Sequence, residues 1–296
     1  MQTIKRTIHL LLFLLPLLWQ GCRVVSDHSA YTRSELFSIV HTVLDSQHAL
    51  SYAALITSEG VDSLPTPSRT RTLYTETYLC QQGDAGILFY DNDRSFDFSP
   101  SDRMEIDYHR CRPYQGENGD AIDGPLMIEY NQNLKQSEYR RVDYSITYKH
   151  LRLQTGRGDW EIEGNVGVRY TLSYIDDTMR LSLNSNRLSL VRDGIAHIRL
   201  SNTELDFSMR AKDLFYRYRY DGTIHDPLLG NFGFDTLESF EGYGSHNPLR
   251  GKMRIIGENL TILLYLHNSG AIDLDVAYPQ TDERRAYETD WRELGF

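Results

Sequence analysis

The stretch MRLSLNSNRLSLV, Met179–Val191, decides the fold, because apolar residues alternate with Arg, Ser and Asn along most of it. Alternation with a period of two puts the apolar side chains on one face of a strand and the polar ones on the other. Working outward, the same rhythm appears upstream in YTETYLC, GILFY, RMEIDYH, PLMIEYN, DYSITYKHLRLQ and WEIEGNVGVRYTLSY, and downstream in AHIRLSNTELDFSMR, LFYRYRY, KMRIIG, LTILLYL and AIDLDV. Turn signals separate them: Gly156-Arg157-Gly158, Asp176-Asp177, Arg192-Asp193-Gly194, Asp221-Gly222 and Asn268-Ser269-Gly270. Strict alternation over so many strands predicts an antiparallel meander with one packed and one wet face, as a sandwich, an open barrel or a curved sheet. The class is mainly β. One continuous sheet over 71–280 is preferred to two blocks joined at QNLKQSEYRR, 132–141.

Two helices are expected beside the sheet. SELFSIVHTVLDSQHALSYAALI, 34–56, carries apolar residues at helical spacing, with Ser34 as N-cap and Gly60 as stop. His41 and His48 lie two turns apart on one face, about 10 Å along the axis and too far for one ion, so they read as ordinary helix residues. Residues 61–70 form a Pro- and Ser-containing linker. The tail 281–296, with ERRAYETDWRELGF, reads as a short terminal helix whose Trp291 and Leu294 dock on the sheet.

The chain begins with Lys5 and Arg6, then an apolar run from Ile8 to Trp19, then Gly21-Cys22. A basic start and an apolar core shorter than the ~20 residues of a membrane span read as an export signal over 1–21. Gly21-Cys22 resembles the lipobox of bacterial lipoproteins, with Trp19 and Gln20 departing from its usual residues. The resemblance implies that Cys22 becomes the lipid-bearing first residue, that 22–33 is a tether, and that a membrane is a partner through this anchor. Arg23, in place of an aspartate, resembles the pattern that sends enterobacterial lipoproteins to the outer membrane. Removing residues 1–21 takes two basic and no acidic side chains from a balance of −10, leaving −12. Nucleic acid and anionic lipid head groups, which both want a basic face, are not expected as partners. Cys80 and Cys111 remain as an even pair in an oxidising compartment, and a disulfide is the natural reading.

The densest chemistry lies in DNDRSFDFSPSD, Asp91–Asp102. Asp91, Asp93, Ser95, Asp97, Ser99 and Asp102 fall on positions 1, 3, 5, 7, 9 and 12, the ligand rhythm of a calcium loop. Oxygen ligands suit a hard cation, calcium before magnesium, so calcium is the candidate cofactor. Against it, position 6 is Phe96 where such a loop has glycine, and position 12 is a short Asp. The alternative is a polar hairpin loop whose Asp and Ser side chains cap backbone amides. The span Cys80–Cys111 resembles an element of exported gammaproteobacterial proteins: a cysteine, a strand, D-x-D-x-x-G-x-x-S-x-G-D, a strand and a second cysteine. Cys80, Asp91, Asp93, Ser99, Asp102 and Cys111 match it, while Phe96 and Ser101 stand where it has glycine. Pro248, Gly251, Ile255 and Gly257 resemble the closing part of such proteins. The resemblance implies a β-rich fold and transfers no catalytic residue.

Two further stretches stand out. In LFYRYRYDG, Tyr216, Tyr218 and Tyr220 share one face and Phe215, Arg217 and Arg219 the other, as in any tyrosine-rich sheet or, less simply, a sugar- or anion-binding one. Residues 226–248 break the strand rhythm, and Phe232, Phe234, Phe240 and Tyr243 there would cover an open end of the sheet or line a pocket. No nucleophile elbow, HExxH, Walker or GxGxxG motif occurs. The expectation is a non-enzymatic cell-envelope lipoprotein binding a protein partner or an apolar ligand on a concave face. A glycan hydrolase and a calcium-dependent adhesion module are the alternatives.

Overall fold

The structure, a computed structural model, describes residues 31–62, 64, 67, 69–74, 80–113, 120–156, 158–244 and 246–296. The export signal, Cys22 and most of the tether lie outside the described residues. The chain falls into two compact units, Met1–Leu36 and Phe37–Phe296. In the first, the Thr32 hydroxyl accepts the Glu35 N–H at 3.3 Å while the Glu35 carboxylate accepts the Thr32 N–H at 2.8 Å. This reciprocal capping box makes Thr32, not Ser34, the cap of helix α1, Arg33–Asp62, which continues past Gly60. No described helix is long and apolar enough to cross a membrane.

The strands are β1 Arg71–Tyr74, β2 Cys80–Tyr90, β3 Arg103–Pro113, β4 Ala121–Lys135, β5 Tyr139–Thr155, β6 Gly158–Ser173, β7 Thr178–Arg192, β8 Ala196–Arg210, β9 Phe215–Asp226, β10 Gly230–Tyr243, β11 Arg250–Ile256, β12 Thr261–Leu266, β13 Ala271–Tyr278 and β14 Glu283–Asp290. Each pairs antiparallel with the next, giving one 14-stranded meander whose first and last strands do not meet. Of the three expected forms this is the open, curved sheet. Residues 132–141 are no seam, since β4 and β5 pair through them, Leu134 opposite Arg141.

Bulges bend the long strands. Register shifts recur between Tyr108 and Cys111, Tyr148 and Leu151, Gly164 and Gly167, and Ser201 and Glu204. Arg110, His150 and Asn202 take φ of 48°, 58° and 49° at these places. A bulge adds local twist and bend, and a row of them across neighbouring strands curls the whole sheet. Gly164 is required where β6 crosses this row. Its φ is +129°, and a Cβ there would stand 2.8 Å from the Arg187 carbonyl oxygen.

The sheet curls around α1. Val43, Leu44, Asp45, Ser46 and Gln47 are all buried although consecutive, so the helix is enclosed on most sides. Ser46 Oγ lies 3.1 Å from the Tyr220 hydroxyl on β9, and the Tyr144 hydroxyl on β5 donates to Ser58. Burial pushes the Tyr220 hydroxyl pKa up, which keeps it a neutral partner. Asp45 meets Arg192 at the end of β7 at 3.0 Å. His41 Nε2 faces the same guanidinium, and His41 Nδ1 lies 2.7 Å from the Leu294 carbonyl oxygen. A carbonyl only accepts and a guanidinium only donates, so this geometry suits the Nδ1–H tautomer.

Two expectations are corrected. The C-terminal segment is not a helix: Glu283–Asp290 is β14, in register with β13, and only Trp291–Phe296 coils, with Phe296 N–H bonded to the Trp291 carbonyl. Pairing to β13 overrides the helix propensity of its Glu, Arg and Ala residues, and their charges blunt an exposed sheet edge. Leu294 is buried as expected, its carbonyl held by His41. Residues 226–248 are not mainly irregular, because β10 occupies most of them. The turn lies at Pro227–Leu229, where the Asp226 carboxylate accepts the Leu228 and Leu229 N–H groups at 2.7 and 3.0 Å. The Asp221-Gly222 turn signal instead sits inside β9 beside the bulge at Thr203.

Candidate functional site

The loop Asp91–Asp102 joins β2 to β3, and the Cys80–Cys111 disulfide, with Cα atoms 5.3 Å apart, clamps the other end of this hairpin. Asp91 and Asp102 are 4% and 0% exposed. The Asp91 carboxylate accepts the N–H groups of Ser95 at 3.1 Å and Phe96 at 3.0 Å. Asp93 accepts the Ser95 N–H at 2.9 Å and the Ser99 hydroxyl at 2.7 Å, and Asp102 accepts the Asn92 and Ser99 N–H groups, both at 2.8 Å. Hydrogen bonds from Ser99, then Ser95, hold the Asp93 carboxyl down to about 2.

Of the six positions with calcium rhythm, Asp91, Asp93 and Asp102 bring one carboxylate oxygen each within 4.8 Å of one another. Ser99 links Asp93 to Asp102, and the Ser95 hydroxyl lies 3.3 Å from that of Ser99. Asp97 turns away to Lys135 at 3.2 Å. Phe96 and Ser101, which replace the glycines of the resembled pattern, have φ of 58° and 75°. The backbone thus keeps the left-handed turns at both places despite the side chains, a conformation that costs a non-glycine residue roughly 1–3 kcal/mol.

Every oxygen of the three converging carboxylates already takes a loop donor, so the loop closes on itself. We expect millimolar calcium to leave the melting temperature within ~1 °C of its calcium-free value. A rise that an Asp91→Ala/Asp93→Ala double variant lacks would instead make the loop an ion site.

A groove of about 510 Å³ lies between α1 and the inner face of the sheet. Leu44, Gln47, His48, Ser51, Tyr52 and Leu55 form the helix side, at helical spacing along the strip that the sheet leaves partly open. Leu181 of β7, Phe207 and Met209 of β8, and Tyr216 and Tyr218 of β9 form the facing wall. Along that wall Tyr216 stacks between Phe207 and Tyr218, at 6.2 and 6.3 Å, and Tyr218 stacks on Phe240 at 4.9 Å. Trp291 and Phe296 from the C-terminal turn, and Leu214, Gly244, His246, Asn247 and Pro248, complete its lining. The Tyr216 hydroxyl donates to the His246 carbonyl at 2.6 Å, fixing that segment to the wall. The lining contains no Asp, Glu, Lys or Arg, whereas a depression on the outer face is lined by Arg180, Asp206, Arg217 and Arg219.

The expected split of LFYRYRYDG holds: Tyr216, Tyr218 and Tyr220 are buried inward and Arg217 and Arg219 point outward. Phe232, Phe234 and Phe240 join the core, while Tyr243 is exposed. His48, read from the sequence as an ordinary helix residue, lines the groove. Its signal was a polar strip, His41, His48, Ser51 and Tyr52, on an otherwise apolar helix. No protein family model, curated protein or solved structure matches this chain.

Proposed function

We propose that this protein is a non-enzymatic, lipid-anchored protein of the cell envelope whose curved sheet holds a single-chain amphiphile in the groove beside α1. The observation that carries the reading is the groove's composition: apolar and aromatic walls, no charged side chain, and a few polar groups, among them His48, His246 and Asn247. Its volume falls within the ~300–1,000 Å³ of small-molecule sites, which combine apolar walls with a few placed polar groups. An aliphatic chain lies against Leu44, Leu55, Leu181 and Met209, and its polar head meets the imidazoles. The anchor at Cys22 and the outer-membrane address belong to the same proposal and rest on the sequence.

The electrostatics favour binding over hydrolysis. A glycan hydrolase needs two facing acids, one with a raised pKa. Two carboxylates of the sheet move the other way: the Arg141 guanidinium holds Asp143 below the usual range, and Arg210 does the same for Asp213.

A fluorescent fatty acid titrated into the protein is expected to bind saturably, and Ser51→Trp, which fills the groove from the helix side, to weaken binding at least about tenfold, or ~1.4 kcal/mol. Ser51 is only partly buried, so the fold tolerates the change. No saturable binding, or equal affinity in the filled variant, would sink the proposal.

A further inference from the structure

Three hydroxyl groups that line the groove beside α1 are committed to the protein. Ser51 Oγ donates to the His48 carbonyl at 3.1 Å, the Tyr216 hydroxyl to the His246 carbonyl and the Tyr52 hydroxyl to the Asp120 carboxylate. A hydroxyl has one hydrogen, so none of the three can turn it to a ligand that only accepts. Gln47 stands differently. Because the Ser51 hydrogen goes to His48, Ser51 Oγ accepts from Gln47 Nε2 at 3.2 Å, which orients the amide. Gln47 Oε1 receives no hydrogen bond among the described residues, although Gln47 is only 9% exposed. A carbonyl oxygen so enclosed is matched by a ligand that donates.

We infer that the amphiphile held in the groove has an uncharged, hydroxyl-bearing head, of the monoacylglycerol class, and that a fatty-acid anion is the poorer ligand. The inference rests on the groove being the binding site. A carboxylate taken out of water needs a cation or several donors. The lining holds no Lys or Arg, and three of its hydroxyl hydrogens are engaged elsewhere. It holds no Asp or Glu either, so an ammonium head would lack a counter-charge. A glycerol hydroxyl both donates and accepts without charge, and its hydrogen suits Gln47 Oε1. The Trp291 indole N–H, an uncharged donor of the same lining, suits the ester carbonyl.

The test compares monolauroylglycerol with laurate, which share one acyl chain, by calorimetry at about pH 8.5, where a carboxylic acid is ionised. Monolauroylglycerol is expected to bind at least about tenfold more tightly. Water itself holds an anion back, so a second comparison isolates the groove. Ser51→Arg places a guanidinium in the lining and is expected to reverse the order of affinity, and His48→Arg to do the same. Both positions are partly exposed, so the fold tolerates either change. Gln47→Leu, which removes the acceptor at similar volume, is expected to weaken monolauroylglycerol several-fold and leave laurate unchanged. Laurate bound as tightly as monolauroylglycerol by the wild type, or an order of affinity that neither arginine variant moves, overturns the inference. If Ser51→Trp then loses both ligands, the groove is still the site and only the head-group assignment falls. No binding of either ligand overturns the groove reading and this inference together.

Discussion

Arg192→Ala is expected to destabilise the protein by about 3–5 kcal/mol, the usual cost of removing one partner from a buried ion pair. Asp45 is 1% exposed inside the sheet, with the Arg192 guanidinium 3.0 Å away and His41 Nε2 at 3.5 Å. Without Arg192 the carboxylate stays buried beside the His41 imidazole, whose Nδ1 is held by the Leu294 carbonyl and whose Nε2 lies 3.5 Å away. The effect reaches further than one pair. Arg192 also lies over the Trp160 ring, 5.7 Å from its centroid, and His41 packs on Phe296 at 4.7 Å. One guanidinium therefore ties the helix, the end of β7 and the C-terminal turn, and Gly295 lies against the same imidazole with its φ at +91°. Urea unfolding checks the value. An Asp45→Leu/Arg192→Met double variant should recover most of the loss, since replacing both charges removes the desolvation cost together with the attraction. A loss below ~1 kcal/mol in Arg192→Ala would mean that water reaches Asp45 and that the helix end is not sealed.

The parts of this fold that were legible in the sequence are those set by local periodicity. Alternation in 179–191 and its neighbours fixed strand identity and the inward faces, because the pleat forces successive side chains to opposite sides. Curvature was harder to read, though a trace of it exists. In Met179–Val191 the leucines change parity, from Leu181 and Leu183 to Leu188 and Leu190, and all four are buried. Such a flip means an extra residue, which is a bulge, and its repetition across strands is what bends the sheet. Positive φ at His150 or Asn202 left no such mark, since neither is glycine. The helix was plain from its spacing, but its place inside the sheet was not. Enclosure shows only as Asp45, Ser46 and Gln47 being buried between apolar neighbours, and Asp45 and Ser46 find partners far away in sequence. The groove was illegible for the same reason: its two walls come from residues 44–55 and 181–218, joined by no motif. β14 was misread because its charged edge residues resemble an exposed helix, and only the register against β13 decides otherwise.

Cys80→Ser/Cys111→Ser should lower stability by ~3–4 kcal/mol, the chain entropy released by opening a loop of this length. The span is 31 residues and contains the whole acidic loop. The loss should also be local in its first stage. Register shifts on both sides of Gln82 interrupt the β2–β3 ladder there, and a further shift before Cys111 interrupts β3–β4. The disulfide joins the two strands where backbone pairing is thinnest. Beyond β2 lies only β1, four residues long. Hydrogen exchange should therefore quicken first in β2 and β3 near the former cystine, while β5 to β9, paired over 12 to 17 residues, keep their protection. Dithiothreitol should reproduce the change in the wild type and leave the double variant untouched. Uniform exchange across the sheet would mean that the meander unfolds as one unit, with the disulfide acting only on the unfolded chain. An unfolding midpoint unaltered by the substitutions would mean that the acidic loop, with its self-capped carboxylates, closes the hairpin unaided.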